Sequence, residues 1–451
     1  MRRSLAAVAL VFCGALLAAL VTAALGALLL AAADALRGVS ASGVWADREE
    51  IAAVAIFAGT YFVVATGTAP GLQLDRAGAA LVGASLMVGC GVLSLDEAYR
   101  AVDFDTITLL LGMMIVVANL RLSGFFRLAS NVVVSRARHP LALLAAIVLV
   151  CGAFSAFLVN DAICLVMTPL VLDLVRRLKR DPVPYLLAVP LAANIGSVAT
   201  ITGNPQNMII GGLSHVPYDV FAATLWPVAA AGLLLTILFL AVGHPREFLT
   251  RAPLPAVAPT PARAHGFLAA KSVIVTLAMM ILFFAGQPVA KVAIVGGAAL
   301  LLTRHVKAAK VYREIDWPLL LMFVGLFIVV TGLERTVLTS ERVAAMSRLD
   351  LDSSPVLAAV AAALSNLVSN VPAVLVLKPF VAGTADPERA WLVVAMATTL
   401  AGNFTLVGSV ANLIVVERAR AAGVAIGFRA YLAIGAPLAL LTIALGAYRL
   451  A

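Results

Sequence analysis

The chain has 451 residues, of which 63% are apolar and only 12% charged, with a mean hydropathy of +1.05. A soluble domain carries about 25% charged residues, so a solvated surface for 46.6 kDa is excluded and lipid is the implied outer solvent. The formal net charge of +9 does not mark a nucleic-acid partner, because Lys and Arg fall in short loops between apolar runs rather than on one basic face.

After Met1-Arg2-Arg3-Ser4, the apolar run 5–33 exceeds the core of a signal peptide, about 7–15 residues, and predicts a first transmembrane helix. Ten further apolar segments follow at 51–67, 77–94, 106–120, 185–213, 219–242, 272–286, 288–303, 317–333, 390–416 and 429–449. A span needs roughly 17–25 residues, so the shorter ones borrow flanking residues. Segments 141–175 and 355–381 are different. As one helix, 141–175 would measure about 52 Å at 1.5 Å per residue, and it carries Asn160-Asp161 at its middle. Both segments are expected to be re-entrant hairpins. The stretch 121–138, basic and amphipathic, predicts a helix lying on the membrane surface. Segment 243–271, rich in Pro and Ala without apolar periodicity, is a linker. With the N-terminus in the cytoplasm, the loops assigned inside hold 22 of the 32 Lys and Arg, as the positive-inside rule requires. Cys13, Cys90, Cys151 and Cys164 lie in apolar stretches and read as small core residues. The five histidines sit singly at segment edges without ligand spacing.

The strongest signal is internal. AYRAVDFDTITLLLGMMIVVANL at 98–120 aligns without a gap on VYREIDWPLLLMFVGLFIVVTGL at 311–333, placing Asp103 on Asp316 and Gly112 on Gly325. SAFLVNDAICLVMTPLV at 155–171 matches SNLVSNVPAVLVLKPFV at 365–381, and TITGNPQNMII at 200–210 matches TLVGSVANLIV at 405–415. Shared hydrophobicity explains matched apolar letters, but not matched Asn, Gly and Pro. Each half holds an odd number of crossings, so the second copy runs upside down. The expected fold is therefore an all-α polytopic membrane protein, with about 11 transmembrane helices plus two re-entrant hairpins in two inverted repeats. Its parts are a first helix and loop (1–50), the first repeat (51–242), a cytoplasmic linker (243–271) and the second repeat (272–451). Inverted repeats with helices interrupted at the midplane are the architecture of secondary transporters.

Irregular backbone at membrane depth occurs only inside protein or beside a cavity. Thr200, Gly203, Asn204 and Asn207 lie in a stretch that Gly and Pro interrupt, and Thr405, Gly408, Ser409 and Asn412 lie in its counterpart. Broken helices expose N–H groups and a positive dipole end that favour an anion, whereas carbonyls and amides can hold sodium. With Ser155, the hairpin tips Asn160-Asp161 and Ser369-Asn370 are expected to complete one central site, with no arginine clamp required. Asp161 has Val371 as its repeat partner, so the duplication does not demand a carboxylate there. An intramembrane acid is functional by default, which makes Asp161 a candidate for coupling transport to a proton or cation. The alternative is a tip carboxylate satisfied by local N–H groups. Asn194 and Asn403 either line the site or bond across helices. Asp103 and Asp316 read as N-caps, and Lys378 as a lysine snorkelling to the interface.

NDAICLVMTPLVL, NIGSVATITGNPQNMII, SNLVSNVPAVLVL and LAGNFTLVGSVANLIV together resemble signature segments of the ion transporter superfamily of citrate-transporter-like permeases. That group includes divalent anion:sodium symporters, arsenite efflux permeases and sodium:proton antiporters. The resemblance covers about residues 50–450. It implies a scaffold and a transport domain working by an elevator movement, commonly as a homodimer in the cell (inner) membrane. The symporter branch carries Ser-Asn-Thr at both tips. Here the tips read Val159-Asn160-Asp161 and Ser369-Asn370-Val371, so the first is closer to the arsenite-permease side.

The expected function is secondary active transport of a small anion driven by Na+ or H+, with no other cofactor. Arsenite or antimonite efflux and Na+/H+ antiport are the rivals within the superfamily. An intramembrane enzyme is disfavoured, since the sequence holds no zinc-spaced histidines, Ser/His pair or paired intramembrane aspartates. A channel fits duplicated hairpins less well than alternating access does.

Overall fold

The computed structural model describes residues 48–67, 73–136, 138–250, 253–254, 265–303, 305–338 and 350–451. The expected first transmembrane helix at 5–33 and residues 251–252 and 255–264 of the linker lie outside them.

The first repeat opens with α1 (Arg48–Thr66) and α2 (Arg76–Gly89), then the short α3 (Leu95–Ala101) and α4 (Phe104–Leu122). Asp75 caps α2 by accepting from the Gly78 N–H at 2.8 Å, and Ser94 with Glu97 forms a capping box on α3. Helix α5 (Phe125–Arg136) occupies the stretch expected at the membrane surface. The first hairpin is α6 (Pro140–Phe157) and α7 (Asn160–Arg177), interrupted at Leu158, which is extended, and Val159, which is not helical. Next come α8 (Pro182–Ser197) and α9 (Pro205–Ser214), two halves of one broken helix separated by a single 3-10 turn at Ile201–Gly203. The repeat closes with α10 (Tyr218–Gly243), followed by the one-turn α11 (Pro245–Phe248).

The second repeat runs α12 (Gly266–Phe284), α13 (Val289–Leu301), the short α14 (Ala308–Tyr312) and α15 (Trp317–Thr336). Its hairpin is α16 (Ser354–Val368) and α17 (Asn370–Val381), its broken helix α18 (Pro387–Ala401) and α19 (Val410–Ala421), and α20 (Phe428–Arg449) ends the chain. The sequence expectation of an all-α membrane protein in two inverted repeats stands. Among the described residues, seven helices are long and apolar enough to cross a membrane, and four shorter apolar helices accompany them. One of the seven is α6, so the first arm of the first hairpin has spanning length by itself.

Packing divides the chain into two bodies. Helices α1, α2, α4, α12, α13 and α15 pack chiefly on one another, with α4 against α13 and α15 against α2 as the tightest pairs. The hairpins, the broken helices, α10 and α20 form the second body. In the first body the repeats interlock by backbone contact. A Cβ on Gly112 would lie 2.5 Å from the backbone carbon of Ala293, and one on Gly325 would lie 2.5 Å from that of Ala80. Both contacts obey the 213-residue offset seen in the sequence, since Ala80 maps onto Ala293 as Gly112 maps onto Gly325. Asp103 Oδ1 accepts from the N–H groups of Asp105 and Thr106 at 3.0 and 3.2 Å, and Asp316 Oδ1 accepts from Leu319 at 3.1 Å. Both are N-caps, as the sequence suggested.

Lys378 departs from expectation. Its Nζ donates to Glu334 Oε2 at 2.9 Å, so it pairs with a carboxylate on α15 of the other body and does not simply snorkel. Tyr61 on α1 makes a second link across the same boundary, donating to the carbonyl of Pro372 at 3.3 Å.

Candidate functional site

The breaks in α8–α9 and α18–α19 are built alike. At the first, the Asn207 Nδ2 donates to the carbonyls of Ser197 and Thr200, both at 3.0 Å. At the second, the Asn412 Nδ2 donates to the carbonyls of Gly402 and Thr405, at 2.7 and 3.0 Å. Residues 197, 200 and 207 map onto 402, 405 and 412 at one offset of 205. Each Asn therefore satisfies the carbonyls that the broken helix leaves without partners, groups that are costly to leave unpaired in a low-dielectric setting. Asn204 and Ser409, also equivalent, cap the second half-helices by accepting from the N–H groups of Asn207 and Ala411 at 2.8 and 3.3 Å.

Between the breaks runs a buried amide network. Asn160 Nδ2 donates to Asn194 Oδ1 at 3.0 Å, and Asn194 Nδ2 donates to Asn403 Oδ1 at 2.8 Å and Asn412 Oδ1 at 3.1 Å. The Ser409 hydroxyl reaches Asn194 Oδ1 at 3.3 Å, and Asn403 Nδ2 donates to the Leu191 carbonyl at 3.1 Å. Of the two roles open for Asn194 and Asn403, the structure gives the cross-helix one. Thr200 donates to the Ala156 carbonyl, and Asn204 and Gln206 both donate to Thr399 Oγ1, at 3.1 and 3.2 Å.

In front of this network lies a cavity of about 50 Å³. One buried water needs roughly 10–15 Å³. The second body contributes Asn160 and Asp161, Pro205 and Gln206, Ser369 to Pro372, and Ser409 with Val410. These residues open four separate helices: α7, α9, α17 and α19. Four helix N-termini thus converge on one space, each with N–H groups lacking intrahelical partners and a positive dipole end. Ser369 holds φ of +76° at the second tip, a left-handed setting that a non-glycine residue adopts at a cost of order 1–3 kcal/mol. The first body supplies the remaining wall with Val64, Arg76, Leu319, Met322 and Phe323.

Of the expected site residues, Asn160, Asp161, Ser369, Asn370 and Ser409 border this cavity. Ser155, Asn194, Thr200, Gly203, Asn204, Asn207, Asn403, Thr405, Gly408 and Asn412 stand behind it, shaping the breaks and tying them together. Gly203 serves sterically, because a Cβ there would sit 2.2 Å from the Ser197 carbonyl oxygen. Gln206 and Arg76 escaped the sequence reading. Gln206 stood inside the motif, but its repeat partner Ala411 gave no signal. Arg76 was counted among loop cations, and the structure puts it in the cavity wall.

The tips are not equivalent. In the second hairpin the Ser365 hydroxyl donates to Asn370 Oδ1 at 2.7 Å. In the first, Ser155 Oγ and Asn160 Oδ1 are both buried without a hydrogen-bond partner among the described residues. Asp161, beside them and half-buried, likewise makes no hydrogen bond or ion pair among those residues.

Helices broken in duplicate around one shared cavity define a membrane transporter. The chain belongs to the citrate transporter family, whose model matches residues 60–401. Among curated relatives, it is 29% identical to the silicon efflux transporter LSI3 of Oryza sativa subsp. japonica, over 78% of this chain and 87% of that protein. It is 32% identical to the inner membrane protein YbiR of Escherichia coli K12, over 71% of this chain and 81% of that one. The putative transporter arsB of Dictyostelium discoideum is 24% identical over 83% of this chain and 87% of its own length. Among solved structures, the YdaH transporter of Alcanivorax borkumensis shares the fold at a TM-score of 0.55 and 14% identity, covering 90% of this chain and 98% of that one. The protein is an integral membrane transporter.

Proposed function

We propose that the chain is a secondary active transporter of a small anion, coupled to Na+ or H+, and carries out no catalysis. One observation carries this reading: four helix N-termini and one guanidinium face the same cavity, which also holds one carboxylate. Unpaired N–H groups and dipole ends favour an anion without a full counter-ion. The limited space favours a small oxyanion over a tricarboxylate such as citrate.

Transport would proceed by an elevator movement in which the hairpin-bearing body slides along the other, in a homodimer with its N-terminus in the cytoplasm. The packing of the chain into two bodies supports such a movement. Coupling rests on the first hairpin. Asp161 takes or releases the proton, or balances a cation held by Ser155 Oγ and Asn160 Oδ1, the two oxygens whose counterparts in the second hairpin are already engaged.

A second reading is efflux of a small hydroxide such as arsenite or silicic acid. The names of two relatives favour it, one a silicon efflux transporter and the other named arsB. Flux into proteoliposomes separates the two. Citrate, succinate, sulfate, phosphate, arsenite and silicic acid would be screened under imposed sodium or proton gradients. Gradient-driven movement of an anion supports the proposal. Movement of arsenite or silicic acid alone replaces it with the second reading, and turnover of a solute without passage across the bilayer would reject transport.

A further inference from the structure

Arg76 stands at the start of α2, on the body that lacks the hairpins, yet it borders the same cavity as both tips. The other residues that body gives to the cavity wall, Val64, Leu319, Met322 and Phe323, are all apolar. Among the described residues its guanidinium makes no hydrogen bond and no ion pair. The adjacent acid, Asp75, is occupied as the cap of α2 through Gly78. Asp161, the acid across the cavity, lies beyond ion-pair distance. Nε and Nη2 of Arg76 pass 3.7 Å from where a Cβ on Gly67 would stand, so the side chain packs against the end of α1.

Arg76 is partly buried, and a cation drawn even partly out of water without a partner carries a desolvation cost that an anion in the same space would offset. A guanidinium presents a planar fork of N–H donors that fits two oxygens of an oxyanion at once. We infer that Arg76 is the charge-selecting residue of this transporter: it admits small oxyanions to the cavity and discriminates against neutral hydroxides. Because Arg76 and the four helix N-termini belong to different bodies, the oxyanion is held by both only in the arrangement seen here. Sliding the hairpin-bearing body away removes the guanidinium and leaves the anion with the N–H groups and the Asp161 side. The inference deepens the anion reading above and rests on it.

The test compares the full-length wild type with Arg76→Gln and Arg76→Lys in proteoliposomes. The anionic probes are phosphate, arsenate and sulfate, and the neutral probes at pH 7 are arsenite and silicic acid. Arg76→Gln is expected to lower anion flux tenfold or more while arsenite or silicic acid flux stays within twofold of wild type or rises. Arg76→Lys, which keeps the charge and loses the fork, falls between. Size-exclusion profiles and thermal unfolding of both variants establish that they fold. Equal loss for charged and neutral probes assigns Arg76 a purely structural role and overturns the inference, as does anion flux unchanged in Arg76→Gln. A wild type that carries no anion overturns the anion reading and the selector with it. That failure appears before any substitution is made, so the two are told apart.

Discussion

Asn194 donates to Asn403 at 2.8 Å, joining the broken helix of the first repeat to that of the second through a single amide. The same Nδ2 reaches Asn412, and its Oδ1 accepts from Asn160 and Ser409, so one side chain on the first broken helix reaches the second break and one hairpin tip. Its place behind the cavity means that it sets the geometry of the tips without bordering the space they enclose.

Removing that amide leaves several buried groups unpaired. Asn194→Ala is expected to cost about 2–4 kcal/mol, from roughly 1–3 kcal/mol for each unsatisfied buried group with partial relaxation. Residues sharing one network do not add, so Asn194→Ala combined with Asn403→Ala is expected to cost less than the sum of the two. Thermal unfolding in detergent reads both quantities. Strict additivity would contradict the shared network.

Asp161 offers a different measurement. If its carboxylate carries the coupling charge, Asp161→Asn keeps the shape of the tip but can neither gain nor lose a proton. Net uptake driven by a proton gradient should fall at least tenfold and lose its pH dependence, while exchange of substrate between two equal pools persists. A pH profile identical to wild type rules the residue out of coupling.

The Lys378–Glu334 pair spans the boundary between the two bodies, with its side chains 38% and 19% exposed. Partly exposed ion pairs contribute only about 0–1 kcal/mol, so Lys378→Met should barely change stability. Its position matters more. In a variant lacking the native cysteines, a disulfide between Cys residues placed at 334 and 378 should stop transport, and a reductant should restore it. Full activity in the crosslinked state would mean that the two bodies do not slide there.

The interlocked glycines give a paired prediction. Gly112→Ala and Gly325→Ala each push a Cβ to 2.5 Å from a backbone carbon of the facing helix, a contact that no rotamer relieves. Overpacking of this kind costs about 1–3 kcal/mol, and the two variants should lose stability to a similar degree. Gly89→Ala, where nothing lies within 4 Å, is the control and should be neutral. A large loss in the control, or none in the pair, would remove the steric explanation.

Much of this molecule was legible before any fold was known, because a duplicated sequence reports its own symmetry. Matched Asn, Gly and Pro at offsets near 210 marked the breaks and the hairpins. The roles within those motifs were less visible. Asn207 and Asn412 looked like ligands of a site, since a polar residue beside a helix break reads the same whether it faces a solute or a backbone carbonyl. Their carbonyl partners lie only 7–10 residues back in the chain, but the turn that brings them within reach has no distinctive letters of its own.

By itself the sequence determined the solvent, the helical class, the duplication and the positions where helices must break, because these depend on local composition and on repeats along one dimension. Only the tertiary structure decided which polar residues face the cavity and which are spent on backbone groups, and it alone brought Arg76 to the wall shared with the hairpin tips and Lys378, on the second hairpin, to Glu334 of the other body. Each cation sits on one body and meets a partner or a space shaped by the other. Such a meeting is fixed by how helices distant in sequence pack together, and nothing in the neighbouring residues encodes it.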